Sequence, residues 1–473
     1  MRNNHDKVCI INISHQRIFL LKYLLERRMH MENKMGTQKI SKLVLMTGIP
    51  LMLSLLINSL YNFVDSVFVS RISEEALTAL SLASPIQILV SALGLGNAVG
   101  LNAVISKALG EKNTEKVKKA ANASICIAFI SWILICILCL LFVNIYFDWQ
   151  SNGNEIIAQY GKQYLTICML FSFGQMGQWV FDRFVIASGK STLFIFTLSA
   201  ASITNLILDP IYIFGLFGLP RMETTGAALA TVIGQIVGML AGMMINKKWN
   251  TEIPFSFTIH QDLESILQIL NVGIPSTLVQ ILTSFISIAL NSILITFSST
   301  AVAVYGVCAK IQSISTVGVH GINNGVIPIV AYNYGALKKD RIYETIKYAI
   351  LYGILFYIIF FIALEGFPSM VLKLFDASDN MLSIGIPALR ILGFAYLISI
   401  PSLVYSSSLQ GLSMGRQSMY ITMSRQAILP LLFVCILSQF HQVNLVWLAF
   451  VFAECIGIPL SMYLWKKNSN KVL

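Results

Sequence analysis

Charge is what this sequence has least of. Only 12% of its 473 residues are Asp, Glu, Lys or Arg, about half the share of an ordinary soluble protein, while 56% are hydrophobic. No soluble fold hides such a surplus, which excludes a soluble enzyme, a disordered scaffold and a secreted disulfide mini-protein. Histidine is scarce as well: there are six, and no two stand at metal-ligand spacing. Cysteine is present but inert in pattern, because seven of the eight lie in apolar stretches, where a thiol behaves as a small buried hydrophobe. Cys136 and Cys139 form a CxxC within ICILCLLF, yet no ligand-type residue flanks them. Motifs of catalysis are missing too. There is no aspartate-rich diphosphate motif and no HExxH, and Gly189-Lys190-Ser191-Thr192 lacks the earlier glycine of a phosphate loop, Phe184 standing in its place. The sequence therefore gives no reason to expect an enzyme or a cofactor.

What is present is apolar runs separated by basic clusters. The net charge is +11, and Lys and Arg gathered between hydrophobic stretches suit positive-inside anchoring better than nucleic-acid binding. A bilayer core of about 30 Å needs about 20 apolar residues per helix. That window predicts twelve spans, near 43–70, 77–105, 119–147, 157–187, 192–216, 224–246, 264–297, 301–333, 342–366, 382–410, 416–440 and 443–465. The even-numbered gaps carry most of the basic residues, among them Lys107, Lys112, Lys116, Lys190, Lys247, Lys248, Lys338, Lys339, Arg341 and Arg416; the odd gaps hold little beyond Arg71, Arg221 and Lys373. Both termini are expected on the cytoplasmic side. In residues 1–37, an N-terminal tail, Arg27-Arg28 precedes Met31 at the spacing of a bacterial ribosome-binding sequence and a start codon. We expect translation to begin at Met31, the alternative being a genuine cytoplasmic tail.

The chain also resembles itself. Gly48-Ile49-Pro50 recurs as Gly273-Ile274-Pro275, an offset of 225, and at the same offset Ile86-Gln87 matches Ile311-Gln312, Gly96 Gly321, Gly100 Gly325 and Gly110 Gly335. Gly189-Lys190 faces Gly415-Arg416 at an offset of 226. Six spans per half is an even number, so the halves are parallel repeats about an axis along the membrane normal, an arrangement of secondary transporters. This predicts a first lobe at 38–246, a cytoplasmic linker at 247–262 and a second lobe at 263–473.

Ionisable residues inside a span cost about 2.5–3.5 kcal/mol each on insertion scales and need a reason. In the first span Asn58, Tyr61, Asn62 and Asp65 fall on one helix face. In the fifth, Asn205 and Asp209 are i and i+4; in the sixth, Thr231 and Gln235 share that spacing. Two acids among amide and hydroxyl oxygens can hold a proton or a hard cation such as Na⁺; a helix-to-helix hydrogen bond at each acid is the structural alternative. In the repeat, Asp65 maps to Leu290 or Asn291 and Asp209 to Val434 or Cys435, so the acids belong to one half only, which reads as function. Asp182, Arg183, Lys310, Arg390, Arg425, Glu454 and His320 also lie within spans. Asp182 with Arg183 is expected at depth or on a cavity wall. Arg390, Arg425 and Glu454 are expected as ion pairs within the second lobe or as snorkelling side chains, His320 as a hydrogen-bonded helix residue, and Lys310 is open.

The strings LYNFVDSVFVSRI (60–72), NLILDPIYIFGLFGLP (205–220) with GAALATVIGQ (226–235), and IPIVAYNYGALKKDR (327–341) resemble the MATE family (multidrug and toxic compound extrusion), in its DinF-like branch, over residues 38–466. The resemblance implies an all-α integral membrane protein of twelve helices. They form two six-helix lobes related by pseudo-two-fold symmetry, in a V around a central cleft. It implies export of organic cations against H⁺ or Na⁺ entry across the bacterial inner membrane, by a monomer in contact with lipid and with no nucleic-acid partner. It places the coupling-ion site on Asp65, Asn205, Asp209 and Thr231, and a hinge at Pro50. The acids that a second branch carries in the seventh and tenth spans are absent, Gln280 being the residue of note there. Where the family often has Arg, three residues before the glycine of the fourth gap, this chain has Ile186. A flippase for a lipid-linked sugar is the alternative on a related fold, to be recognised by a strongly basic cleft; a channel is a more distant one. The cleft walls are expected to be aromatic, apolar and Met-rich.

Overall fold

The computed structural model describes residues 34–472 except 152, 257–261 and 375–377. Met31 and the question of the start therefore lie outside the described residues. Within them the chain is helical: α1 Lys34–Thr37, α2 Ile40–Ser70, α3 Glu74–Gly110, α4 Thr114–Gln150, α5 Glu155–Leu170, α6 Phe173–Ala187, α7 Thr192–Phe214 and α8 Glu223–Trp249 come first. After the linker follow α9 Leu263–Leu294, α10 Ser299–Ser315, α11 Val317–Gly335, α12 Lys339–Gly366, α13 Pro368–Lys373, α14 Asp379–Gly411, α15 Gly415–Met423, α16 Leu429–Ser438 and α17 Val443–Val472. Ten of the described helical stretches are long and apolar enough to cross a bilayer, and α10 with α11, bent by 53°, makes an eleventh. The twelfth position is held by α5 and α6, of 16 and 15 residues, each too short to span alone.

Breaks in spans four, eight and eleven are not visible as apolar gaps. Between α5 and α6 the end of one helix leaves carbonyls without helical donors. Trp132 Nε1 donates to Leu170 O at 2.8 Å, and the Cys136 thiol approaches the same oxygen at 3.7 Å while Cys139 approaches Thr166 O at 3.9 Å. The CxxC is thus a face of α4 turned to the α5 backbone. In span eleven, residues Ser424–Ile428 form a π turn just before Pro430, whose missing N–H ends the regular ladder.

The repeat is visible in caps and turns. Ser73 and Ser298, 225 apart, are the N-caps of α3 and α10, accepting from Ala76 N and Ala301 N at 3.1 and 3.0 Å. Lys112 and Leu337, also 225 apart, both turn the chain with left-handed backbones, φ 55° and 56°. Asp262 caps α9; the Ser265 N–H and hydroxyl, at 2.9 and 2.7 Å, hold its carboxyl below the usual carboxylate range.

The lobes meet along α2 with α11 and α3 with α9, two contacts that the repeat interchanges. Here the repeated glycines find their reason. A Cβ on Gly110 would stand 2.0 Å from Tyr332 O, and one on Gly335 2.1 Å from Lys107 O; residues 107 and 332 are themselves 225 apart. Likewise Gly96 lies against Thr277 and Gly321 against the backbone of Met52. Only a residue without a side chain lets backbones approach so closely. At this end Arg341 donates to Met35 O and Gln38 O at 2.9 and 2.8 Å, and Lys338 to Gly36 O at 3.0 Å. Residues 35–38, which cross the expected boundary between N-terminal tail and first lobe, are thus strapped to the second lobe. The second lobe has its apolar cores around Trp447, Leu290 and Val434 and around Ile329 and Ile342; the first packs around Phe147, Phe184 and Leu101.

Candidate functional site

Among the cavities of the described residues, two adjoin the polar residues of the first lobe. The smaller, of 390 Å³, lies in the first lobe between α2, α3, α5, α6 and α8, with Asp65 in its wall. The larger, of 770 Å³, lies between the lobes and takes lining from both. Tyr61, Ser91, Gln175, Thr231 and Gln235 line both, so one sheet of side chains separates the two spaces.

Asp65 and Asp209 come from α2 and α7 and converge behind that sheet. Asp209 is fully buried, and its carboxyl is a close neighbour of that of Asp65. A hydrogen bond between two carboxyl groups needs a proton on one of them, so the pair can share one proton. Asp65 Oδ1 is buried and has no hydrogen-bond partner in the structure, an unoccupied acceptor in a region where such an atom costs free energy. The Asn205 amide, oriented as its surroundings require, donates to Asp209 Oδ2 at 3.0 Å and accepts from the Thr231 N–H at 3.2 Å. It thereby ties α7 to α8. Gly234 makes this possible, since a Cβ there would meet Ala201 O at 2.8 Å and Asn205 Cβ at 3.1 Å.

The residues singled out from sequence are thus largely brought together. Asp65, Asn205, Asp209 and Thr231 form one cluster, Tyr61 and Gln235 stand in the shared wall, and Asn58 lines the larger cavity. The side chain of Asn62 lies outside those described. Pro50 is elsewhere: it sits beside the interlobe seam, two residues after Gly48, within a helix that runs unbroken from Ile40 to Ser70. Two acids and one amide oxygen could hold a hard cation, but no group of three or more His, Cys, Asp or Glu is gathered among the described residues.

The central cavity meets expectation in part. Its exposed lining is more apolar than polar, but amides are numerous, with Gln175, Gln178, Gln235, Gln280, Asn323, Asn324 and Gln410 prominent; Trp179, Phe194 and Tyr61 are among its aromatic residues, and no methionine is among the described lining residues. Asp182 and Arg183 also line this cavity; nothing in the apolar pattern tells a buried position from a cavity wall, so they could not be assigned from sequence. Arg425 and Glu454 form a buried two-point ion pair, at 2.8 and 2.7 Å. Arg390 instead meets Glu365, at 3.7 Å. Lys310 is exposed and outside the central lining, while His320 lines it and lies 3.3 Å from the Tyr396 hydroxyl.

The MatE family model matches the chain twice, at residues 50–211 and 275–436, in the register of the internal repeat. The multidrug export protein MepA of Staphylococcus haemolyticus (strain JCSC1435) is 25% identical over 436 residues, covering 92% of this chain and 95% of that protein. The probable multidrug resistance protein YoeA of Bacillus subtilis (strain 168) is 25% identical over 438 residues, covering 89% and 93%. Among solved structures, the outward-facing conformation of a multidrug resistance MATE family transporter of the MOP superfamily superposes with a TM-score of 0.86 at 22% identity, covering 93% of this chain and 98% of that one. A MATE crystal structure in the bent conformation gives 0.85 at 22% identity, covering 93% and 97%.

Proposed function

This chain belongs to the MATE family of multi-spanning membrane transporters, and we propose that it is a secondary active multidrug efflux antiporter. In this reading it exports organic cations in exchange for H⁺ or Na⁺ by alternating access. The observation that carries the reading is the carboxyl pair, Asp65 with Asp209, set behind a wall that the first-lobe cavity shares with the central one. A proton or Na⁺ taken up by the pair changes the charge behind Tyr61, Thr231 and Gln235 without occupying the drug's own space. An ionised Asp65 attracts a cationic drug and keeps the cavity hydrated. Neutralising it removes that attraction and lets α2 repack, so ion and drug favour different arrangements of the same lobe. The ion drives export only through that difference in affinity.

The inner-membrane location of a bacterial cell, cytoplasmic termini and a monomeric state complete the proposal, supported by the basic even-numbered gaps. A lipid-linked sugar flippase fits less well. Such a substrate carries a pyrophosphate, and the described lining of the central cavity has one arginine beside one aspartate. The test is efflux of a fluorescent cation from vesicles holding the purified protein, with proton and sodium gradients imposed and collapsed separately. Efflux that follows one gradient supports the antiporter; efflux indifferent to both ends it.

A further inference from the structure

We propose that Arg183 is an anion subsite of the central cavity, the group that takes a carboxylate carried by a bound cationic amphiphile. The inference rests on the antiporter reading for its export step, but not for binding.

The argument begins with a cost. An arginine within a span needs a partner or a cavity, and the other arginine at depth has one: Arg425 is gripped at two points by Glu454. Arg183 has no such grip. Among the described residues it makes no hydrogen bond and no ion pair within 4.0 Å, the nearest charge being that of Asp182. Asp182 cannot turn to it freely. The two are successive residues on α6, about 100° apart around the helix, and Asp182 is buried with its Oδ1 accepting from Thr197 Oγ1 at 2.5 Å. Arg183 is half-buried and stands in the wall of the 770 Å³ cavity, a volume within the range of sites for drug-sized ligands.

A guanidinium offers five donors in a plane and no acceptor, a fork that matches a carboxylate at two points. The single positive charge of the guanidinium suits a monoanion, and Asp182 close behind disfavours a second negative charge such as a dianionic phosphate brings. Trp179 lies one turn before Arg183 on the same face of α6, and Phe194 lines the same cavity, so an aromatic ligand body has rings to lie on. The acids behind the shared wall, Asp65 and Asp209, supply attraction for the cationic end. One cavity therefore holds recognition for both charges of a zwitterion.

Rhodamine B and its ethyl ester share one cationic ring system and differ in whether the carboxylate is free. Binding of each to the purified full-length protein in detergent, read by fluorescence anisotropy at neutral pH with no ion gradient, separates the two ends. Arg183→Gln is expected to weaken rhodamine B at least tenfold and the ester less than twofold, with Arg183→Lys falling between. In the wild type, benzoate should displace rhodamine B but not the ester, which tests the subsite even where the substituted proteins fail to fold. Equal losses for both dyes, no loss for either, or benzoate displacing both alike would overturn the proposal. Failure of gradient-driven ester export, with the binding difference intact, would instead strike the antiporter reading alone.

Discussion

The two lobes share a register and part company over charge. In the second lobe, the counterparts of Asp65 and Asp209 at the 225 offset are Leu290 and Val434, and both are buried members of one apolar core. In the first lobe the same two places hold a pair of acids, one of them with an unpartnered oxygen. A helix bundle of this shape therefore closes perfectly well with hydrocarbon at both positions. The comparison also runs the other way: at depth the second lobe keeps its charges as a neutral pair, Arg425 with Glu454. The buried Arg425–Glu454 pair of the second lobe is balanced, whereas Asp65 and Asp209 of the first make no ion pair among the described residues, as the proposed uptake of an ion requires.

The sharpest way to break this comparison is to neutralise the acids. Asp209→Asn and Asp65→Asn should each abolish gradient-driven efflux, by tenfold or more, while membrane insertion and expression stay near wild type, because removing an intramembrane charge eases insertion. Vesicle efflux normalised to reconstituted protein is the measurement. Wild-type transport by both would make these acids packing groups like their counterparts.

Next comes the balanced pair. Glu454→Gln leaves the Arg425 guanidinium buried without its countercharge, a change that costs about 3–5 kcal/mol, and should lower the thermal unfolding midpoint markedly. Transport per folded molecule should change less than twofold. Replacing both partners with apolar residues, Arg425→Met with Glu454→Leu, should recover most of the lost stability, since a buried pair is often exchangeable for hydrocarbon. A Glu454→Gln protein that is stable but inactive would move coupling into the second lobe and end the contrast.

How much of this was legible without coordinates follows from which contacts leave a mark on residue type. The seam was legible because backbone-to-backbone approach admits only glycine, so Gly110 and Gly335 had to recur. The gathering of Asp65, Asn205, Asp209 and Thr231 was legible because Asn205 and Asp209 stand at i and i+4 on one helix, and because polar groups in apolar runs stand out. The cavity wall was not. Gln175, Asn324 and Gln410 look like ordinary amides in sequence, and only the splay of two lobes turns them toward one space. The breaks at Phe171 and Thr316 were hidden as well, since an apolar window measures length and is blind to a change of axis. Arg390 found Glu365 because a loop reversal brings them together, which no spacing rule foresees.

The symmetric seam offers a smaller test. Gly110→Ala would drive a methyl against Tyr332 O, and the lobes can accommodate it only by parting at that end. Lys107, whose ammonium lies 4.8 Å from the Tyr334 ring centre, reports on the gap. Cross-linking between Lys107→Cys and Tyr334→Cys should fall severalfold in Gly110→Ala and stay unchanged in Gly306→Ala, where a Cβ meets nothing within 4 Å. Unchanged cross-linking in both would show that the seam yields without opening.

The smallest expected effect concerns how the seam and the acids communicate. Pro50 and Asp65 lie on one helix, α2, which is continuous between them; fifteen residues at 1.5 Å each put about 22 Å between the two. Proline lacks the N–H that would bond the carbonyl four residues back, leaving a point where the helix bends at low cost if its neighbours allow. In the present arrangement they do not: Gly48 lies against Ile322, Leu51 is buried, and the Ser54 hydroxyl donates to Pro50 O at 2.9 Å. In the proposed mechanism, neutralising Asp65 would change the forces on the far end of this lever, and Pro50 would set how readily the near end follows. Pro50→Ala restores the missing hydrogen bond and stiffens the helix, so it should loosen coupling a few-fold while leaving the unfolding midpoint within a few degrees of wild type. The measurement is drug affinity in detergent across pH and Na⁺ concentration. Wild-type affinity should fall as the coupling ion rises, that is, toward low pH if the ion is H⁺, and the Pro50→Ala curve should be flatter over the same range. A wild-type affinity indifferent to both ions would remove the mechanism, and a Pro50→Ala curve as steep as wild type would confine it to the acids themselves.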